Sequence, residues 1–174
     1  APQSLLVEPR MNAVWAIDFM RDTLYSGRIF RTLNLLDEAN RGALGIDVAV
    51  SIPATRVRTF LAQMIDLHGR PGAIRCDNGP ELTSQTFTDW CKEQDIELRF
   101  IQPGKPDQNA YIERFNRTYR EEVLSAYLFD SLDEVREITA VWLERYNEIR
   151  PHDALASLPP ARYREQLIAA GTPV

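Results

Sequence analysis

Soft metal ligands are scarce in this sequence, which has two cysteines and two histidines among 174 residues. Cys76 and Cys91 form no CxxC pair and belong to no histidine cluster, which excludes a zinc finger and a disulfide-stapled scaffold. Two buried thiols in a reducing, cytoplasmic setting are expected instead. No stretch approaches 18 consecutive apolar residues, so no transmembrane helix and no membrane partner are expected. Repeats, low-complexity tracts and linkers that would divide the chain are also missing. There is no excess of positive charge either. The net charge of −5 argues by itself against a generic nucleic-acid surface, because phosphate binding needs a basic field. The chain opens Ala1-Pro2-Gln3-Ser4 with neither an initiator Met nor a signal peptide, as a segment of a longer protein would.

What is present fits one globular domain. At 44% hydrophobic and 26% charged, residues 1–174 can bury a sizeable core, expected over about 13–150 with a C-terminal extension over about 151–174. Periodicity predicts strands near 13–20, 28–37 and 43–51, the last two joined by the turn Glu38-Ala39-Asn40-Arg41-Gly42. A helix follows over 53–68, with Val57, Leu61, Met64 and Ile65 on one face, and Gly69-Arg70-Pro71-Gly72 stops it. A short strand before Asp77, a helix near 84–93 and a strand at 97–101 form a parallel crossover, so the sheet is mixed. Beyond the broken segment Gln102-Pro103-Gly104-Lys105-Pro106, Asp107 is expected to cap a helix over 108–127 that buries Ile112, Phe115, Tyr119 and Val123. The last helix starts at a Ser131–Glu134 capping box, buries Val135, Ile138, Trp142 and Tyr146, and ends before Pro151.

Against this ordinary background three carboxylates stand out. Asp18 interrupts Val14-Trp15-Ala16-Ile17 and Phe19-Met20, a buried-strand pattern in which an unpaired charge costs several kcal/mol unless a cation is near. Asp77 lies in RCDNGPELTS and Glu113 in GKPDQNAYIERFNRTYREE, on the shoulder of its helix's apolar face. Three hard oxygen donors suit Mg²⁺ or Mn²⁺, and two such ions can assist an in-line phosphoryl transfer. Lys105, Arg114, Arg117 and Arg120 bracket Glu113, while acids collect over 93–97 and 130–137, so a basic strip for DNA phosphates is expected around an acidic centre. Asn109, one turn before Glu113, can orient its carboxylate, with helix-start chemistry as the plainer reading. Asn78 and Gly79 read as turn-shaping residues, Glu81 as a helix-start charge rather than a fourth ligand, and Asp37 as a strand end rather than a site acid. His152 reads as fixing the chain after the last helix.

Four blocks together resemble a known family: Trp15 with Asp18; Asp77-Asn78-Gly79-Pro80-Glu81; Gly104-Lys105-Pro106 with Gln108-Asn109-Ala110 and Glu113; and Tyr146-Asn147 with Arg150-Pro151-His152. The chain is similar along nearly its whole length to the integrase-type (DDE) catalytic core of bacterial insertion-sequence transposases, of the OrfB type in the insertion-sequence-three group. The 35 residues between Asp77 and Glu113 match the spacing of that class. The resemblance implies an α/β, RNase H-like fold with a five-stranded mixed sheet flanked by helices, and Asp18, Asp77 and Glu113 as metal-binding catalytic residues. It implies two ions in the active complex, nicking of element ends, and transfer of the 3′-OH to another phosphodiester. It further implies DNA as substrate, at least a dimer on DNA, end recognition by a domain upstream or a protein from an upstream reading frame, and work at the bacterial nucleoid. An RNase H-like nuclease and a domesticated DNA-binding protein share the fold and remain as alternatives.

Overall fold

The computed structural model describes residues 8–171, so the expectations that fall on residues 1–7 lie outside the described residues. Five strands, β1 (Val14–Thr23), β2 (Ile29–Asp37), β3 (Ala43–Ala49), β4 (Ala73–Cys76) and β5 (Glu97–Phe100), form one sheet in the order β3-β2-β1-β4-β5. The first three are antiparallel neighbours, and β4 and β5 join in parallel, which makes the expected mixed sheet. Three helices, α1 (Ala54–His68), α2 (Pro80–Thr83) and α3 (Gln85–Glu93), come before β5. Three more, α4 (Ala110–Tyr119), α5 (Leu132–Glu148) and α6 (Pro160–Ala169), follow it.

The period of two along β1 decides which layer each side chain meets. Trp15 and Ile17 enter the core shared with Val57, Phe60 and Leu61 of α1 and with Phe87 and Cys91 of α3. Ala16 and Met20 enter the opposite core, with Ile112 and Phe115 of α4 and Val135 and Tyr146 of α5. Asp18 shares the parity of Ala16 and Met20, so it points at α4. In that second core Phe115 packs against Tyr119, Trp142 and Tyr146 with ring centroids 6.4, 5.6 and 5.1 Å away.

Local chemistry explains the boundaries. The α1 helix ends where Gly69 takes φ 93°, and its N–H reaches the Ile65 carbonyl at 2.8 Å. Ser84 caps α3 and Ser131 caps α5, each accepting from a backbone N–H three residues on at 3.2 Å. The expected capping box is only half formed, since Glu134 reaches the N–H of Asp130 at 3.4 Å instead of that of Ser131.

Three expectations are corrected. Asp107 caps no α-helix, because it lies inside a 3₁₀ turn, Pro106–Asn109, and Asn109 takes the N-cap position of α4 without a side-chain bond. The helix expected over 108–127 is only Ala110–Tyr119 in α form and then widens into a π turn, Arg120–Leu124. Val123 and Leu124 of that turn are both buried in the second core. The C-terminal extension also holds α6, whose first residue, Pro160, accepts at its carbonyl from Asn40 Nδ2 at 3.1 Å.

Candidate active site

Two of the expected carboxylates meet at the middle of the sheet. The β1–β4 register pairs Ala16 with Arg75, and continuing it by two residues sets Asp18 beside Asp77, just past the end of β4. Asp77 stands close enough that its charge bears on Asp18. Asp18 is half-buried rather than enclosed. Burial, and then the negative charge of Asp77, raise its pKa from 3.8 to about 7. The Phe19 N–H donates to Asp18 Oδ1 at 2.9 Å and pulls the other way.

Asn116 is the residue that sequence reasoning missed. Its Nδ2 donates to Asp18 Oδ2 at 2.9 Å, and its Oδ1 accepts from Asn34 Nδ2 at 2.8 Å, so a relay runs from β2 through α4 to the carboxylate. Its spacing three residues after Glu113 was a usable signal, because i and i+3 share a helix face. Asn34 has no comparable sequence signal, and only its pairing opposite Asp18 reveals it. Removing the amide in Asn116→Ala deletes a bond that favours the ionised form, so the pKa of Asp18 should rise further. Carboxyl ¹³C titration of Asp18 in the variant and the wild type measures this, and an unchanged or lower midpoint would refute the relay.

Glu113 sits on the first turn of α4 and is exposed. Among the described residues no three acidic, cysteine or histidine side chains are close enough to hold one metal ion, so the structure joins Asp18 to Asp77 and leaves Glu113 apart. Asn109 is buried, its Oδ1 has no partner, and no hydrogen bond joins it to Glu113. The basic residues expected as one strip fall into separate settings. Arg120 donates to the Arg21 carbonyl at 2.8 Å and lies 3.7 Å from Asp22, at the end of β1. Arg117 shares Glu113's helix face at i+4, whereas Arg114 lies with Tyr111 and Thr118 on another row. Lys105 precedes the 3₁₀ turn in the irregular segment after β5.

The remaining candidates have structural partners. Gly79 N–H donates to Asp77 Oδ1 at 2.8 Å, and a Cβ at this position would stand 3.0 Å from that oxygen, so the missing side chain makes room for the carboxylate. Asn78 ties its turn to the Ile101 carbonyl at 3.0 Å. Glu81 opens α2 and pairs with Arg31 at 2.6 Å, and the Arg31 guanidinium also covers the Phe19 ring at 4.1 Å. Asp37 is fully buried near the other end of β1, opposite Trp15, where it accepts from the backbone N–H groups of Asn12 and Ala39. Burial still pushes its pKa up to about 6. Cys76 and Cys91 are free, and burial pushes both thiols up to about 12, which removes thiolate chemistry. His152 stacks edge-on against Tyr146 at 4.8 Å behind α5.

The donor chemistry at Asp18 and Asp77 fits a hard divalent cation. Two carboxylates this close repel when both are ionised, and a cation would relieve both the repulsion and the desolvation that hold Asp18 near neutral.

Comparison with known proteins agrees with this architecture. The integrase core domain pattern matches residues 8–106, and a second integrase core domain pattern matches residues 94–160. An uncharacterized 39.2 kDa protein of insertion element IS476 from Xanthomonas euvesicatoria is 40% identical over 92% of this chain and 46% of its own length. The transposase of insertion sequence element IS629 from Shigella sonnei is 24% identical over 94% of this chain and 55% of its own length. The chain thus spans about half the length of these relatives. Among solved structures, the HTLV-2 integrase catalytic core domain in complex with magnesium superposes with a TM-score of 0.69 at 20% identity, covering 92% of this chain and 99% of that one. A simian T-cell lymphotropic virus intasome chain superposes with a TM-score of 0.77 at 19% identity, over 94% of this chain and 60% of that one. These likenesses establish the RNase H-like fold, and the pattern match over residues 8–106 shows that the chain belongs to the integrase core domain family.

Proposed function

We propose that this chain is the catalytic core of a DNA transposase, which nicks element ends and passes the freed 3′-OH to another phosphodiester. The observation that carries the proposal is the Asp18–Asp77 pair at the sheet centre of an integrase core domain, backed by the Asn116–Asn34 relay. Asp18, Asp77 and Glu113 are the residues that would hold divalent cations, Mg²⁺ or Mn²⁺ and two in the active complex. Bound there, such ions activate the attacking oxygen and stabilise the leaving one. The protein's own part is placement. Asn116 and the Phe19 N–H fix the Asp18 carboxylate, Gly79 fixes that of Asp77, and Asn109 sets the start of the helix bearing Glu113. Lys105, Arg114, Arg117 and Arg120 supply phosphate contacts.

The proposed substrate is DNA, with element ends recognised by another part of the polypeptide or by a protein from an upstream reading frame. Two element ends call for at least two copies on DNA, and the nucleoid would be the place of action. The HTLV-2 core is described in dimeric and trimeric forms, which supports self-association as a property this fold permits. Strand transfer by the full-length protein on pre-nicked element ends tests the assignment. Glu113→Gln should lower the rate by orders of magnitude while folding persists, and Glu81→Gln, whose partner is Arg31, should do much less. Equal losses from the two changes would remove Glu113 from the site.

A further inference from the structure

A second concentration of charge lies away from the carboxylate pair. The β2–β3 turn, the outer row of α4 and the segment after α5 enclose a cleft of about 250 Å³. Each element brings an arginine: Arg41 from the turn, Arg114 from α4 and Arg150 from the segment. All three guanidinium charges bear on the rings of Tyr146 and His152 at the back of the cleft. Carboxylates do not balance them. Arg150 pairs with Glu122, and Asp153 lines the cleft, but neither Arg41 nor Arg114 has an ion-pair partner among the described residues.

The hydrogen-bonding inventory is also incomplete here. The Arg41 guanidinium carbon lies over the Tyr111 ring, 4.0 Å from its centroid, and Nη1 donates to the Glu38 and Ala39 carbonyls at 2.6 and 3.3 Å. Its Nε is buried without a partner. His152 Nε2 is likewise buried without a partner. Buried nitrogens without partners are costly, and native structures rarely leave them so unless a ligand or water completes the site. An anion with several acceptor oxygens would complete Arg41 Nε and, by offsetting the arginine charge that disfavours an imidazolium here, would let His152 Nε2 donate as N–H; a guanidinium fork suits phosphate geometry. The cleft is open on one side and rimmed by the exposed Arg114, which suits a phosphate embedded in a polymer.

We propose that this cleft grips a backbone phosphate of the bound DNA, on a row of α4 different from the one that carries Glu113. The inference rests on the proposed DNA-processing function and adds a contact that fixes the register of the duplex on the core. Arg114 reaches the phosphate from the rim, Arg41 and His152 receive it inside, and Tyr111 and Tyr146 hold those two groups in place.

The two histidines make the test direct. Imidazole resonances of His152 and His68 are followed while a short DNA duplex, and separately inorganic phosphate, is added to the 174-residue chain. The duplex should move the His152 signals and leave those of His68, which sits at the end of α1, in place. Inorganic phosphate should move His152 only at much higher concentration. Arg114→Gln should weaken duplex binding severalfold and reduce the slope of log affinity against log salt by about 0.9, and Arg114→Lys should restore most of both. Arg162→Gln, an exposed change on α6, should alter neither. Duplex binding with His152 unmoved, and with DNA cleavage by the full-length protein intact, would overturn this inference alone. Movement of His152 by inorganic phosphate with no duplex binding would overturn this inference too, whereas the transposase reading beneath it would fall only if the full-length protein neither bound nor cleaved DNA.

Discussion

Asp18→Asn should stabilise the metal-free protein at pH 8 and erase its response to Mn²⁺. The folded-state pKa of Asp18 is raised from 3.8 to about 7, so above pH 7 the native state carries an ionised carboxylate that burial and Asp77 disfavour. A shift of that size corresponds to an upper bound on the order of 4 kcal/mol, reduced because water screens a half-buried pair. The sign is opposite to that of a salt-bridged aspartate. Stability associated with Asp18 is present below about pH 4 and declines as pH rises to about 7. Asp37, raised to about 6, acts in the same direction over a narrower range. The stability difference between the metal-free wild type and Asp18→Asn should therefore move in favour of the variant from pH 4 to pH 7 and level off above it. Saturating Mn²⁺ should restore stability to the wild type by binding the folded state, and should leave Asp18→Asn unchanged. Urea midpoints across pH, with and without Mn²⁺, measure all of this. A variant less stable than the wild type at pH 8, or one that still responds to Mn²⁺, would mean the carboxylate pair is not the cation site.

Phe115→Ala should be the most damaging single change in the core. Phe115 is 1% exposed and packs against Tyr119, Trp142 and Tyr146, so its ring joins α4 to α5. Truncation of a buried phenylalanine typically costs about 3–5 kcal/mol, a large part of the 5–15 kcal/mol that holds a domain together. The next residue is Asn116, so loosening this seat should also release Asp18 and move its carboxyl titration. Phe115→Leu, which keeps most of the volume, should lose far less and keep the titration of the wild type. A loss below about 1 kcal/mol in Phe115→Ala would show that α4 is held by other contacts.

Strand alternation, turn residues and helix periodicity are local signals, so the strands, α1, α3 and α5, and the mixed character of the sheet were legible in the sequence. So was the unusual setting of Asp18, because a carboxylate among Trp15, Ile17 and Phe19 contradicts its surroundings wherever the strand ends up. The same local logic failed past Tyr119, where the chain widens into a π turn over Arg120–Leu124 and shortens the expected helix. It also failed at Asp107, whose capping chemistry was sound but whose turn closed as 3₁₀ before α4 began.

The sequence alone determined the acids, their spacing and the family they resemble, because these are properties of residue type and order. Only the tertiary structure decided which of them meet. Parallel pairing of β4 with β1 brought Asp77 to Asp18 across 59 positions of chain, and packing of α4 on β1 and β2 brought Asn116 to both Asp18 and Asn34. It also divided the basic residues of α4 between the carboxylate side and the arginine cleft, since a 3.6-residue turn separates neighbours such as Glu113 and Arg114 by about 100°. Such meetings depend on sheet register and helix packing, which join residues far apart in the chain and leave little trace in any local window.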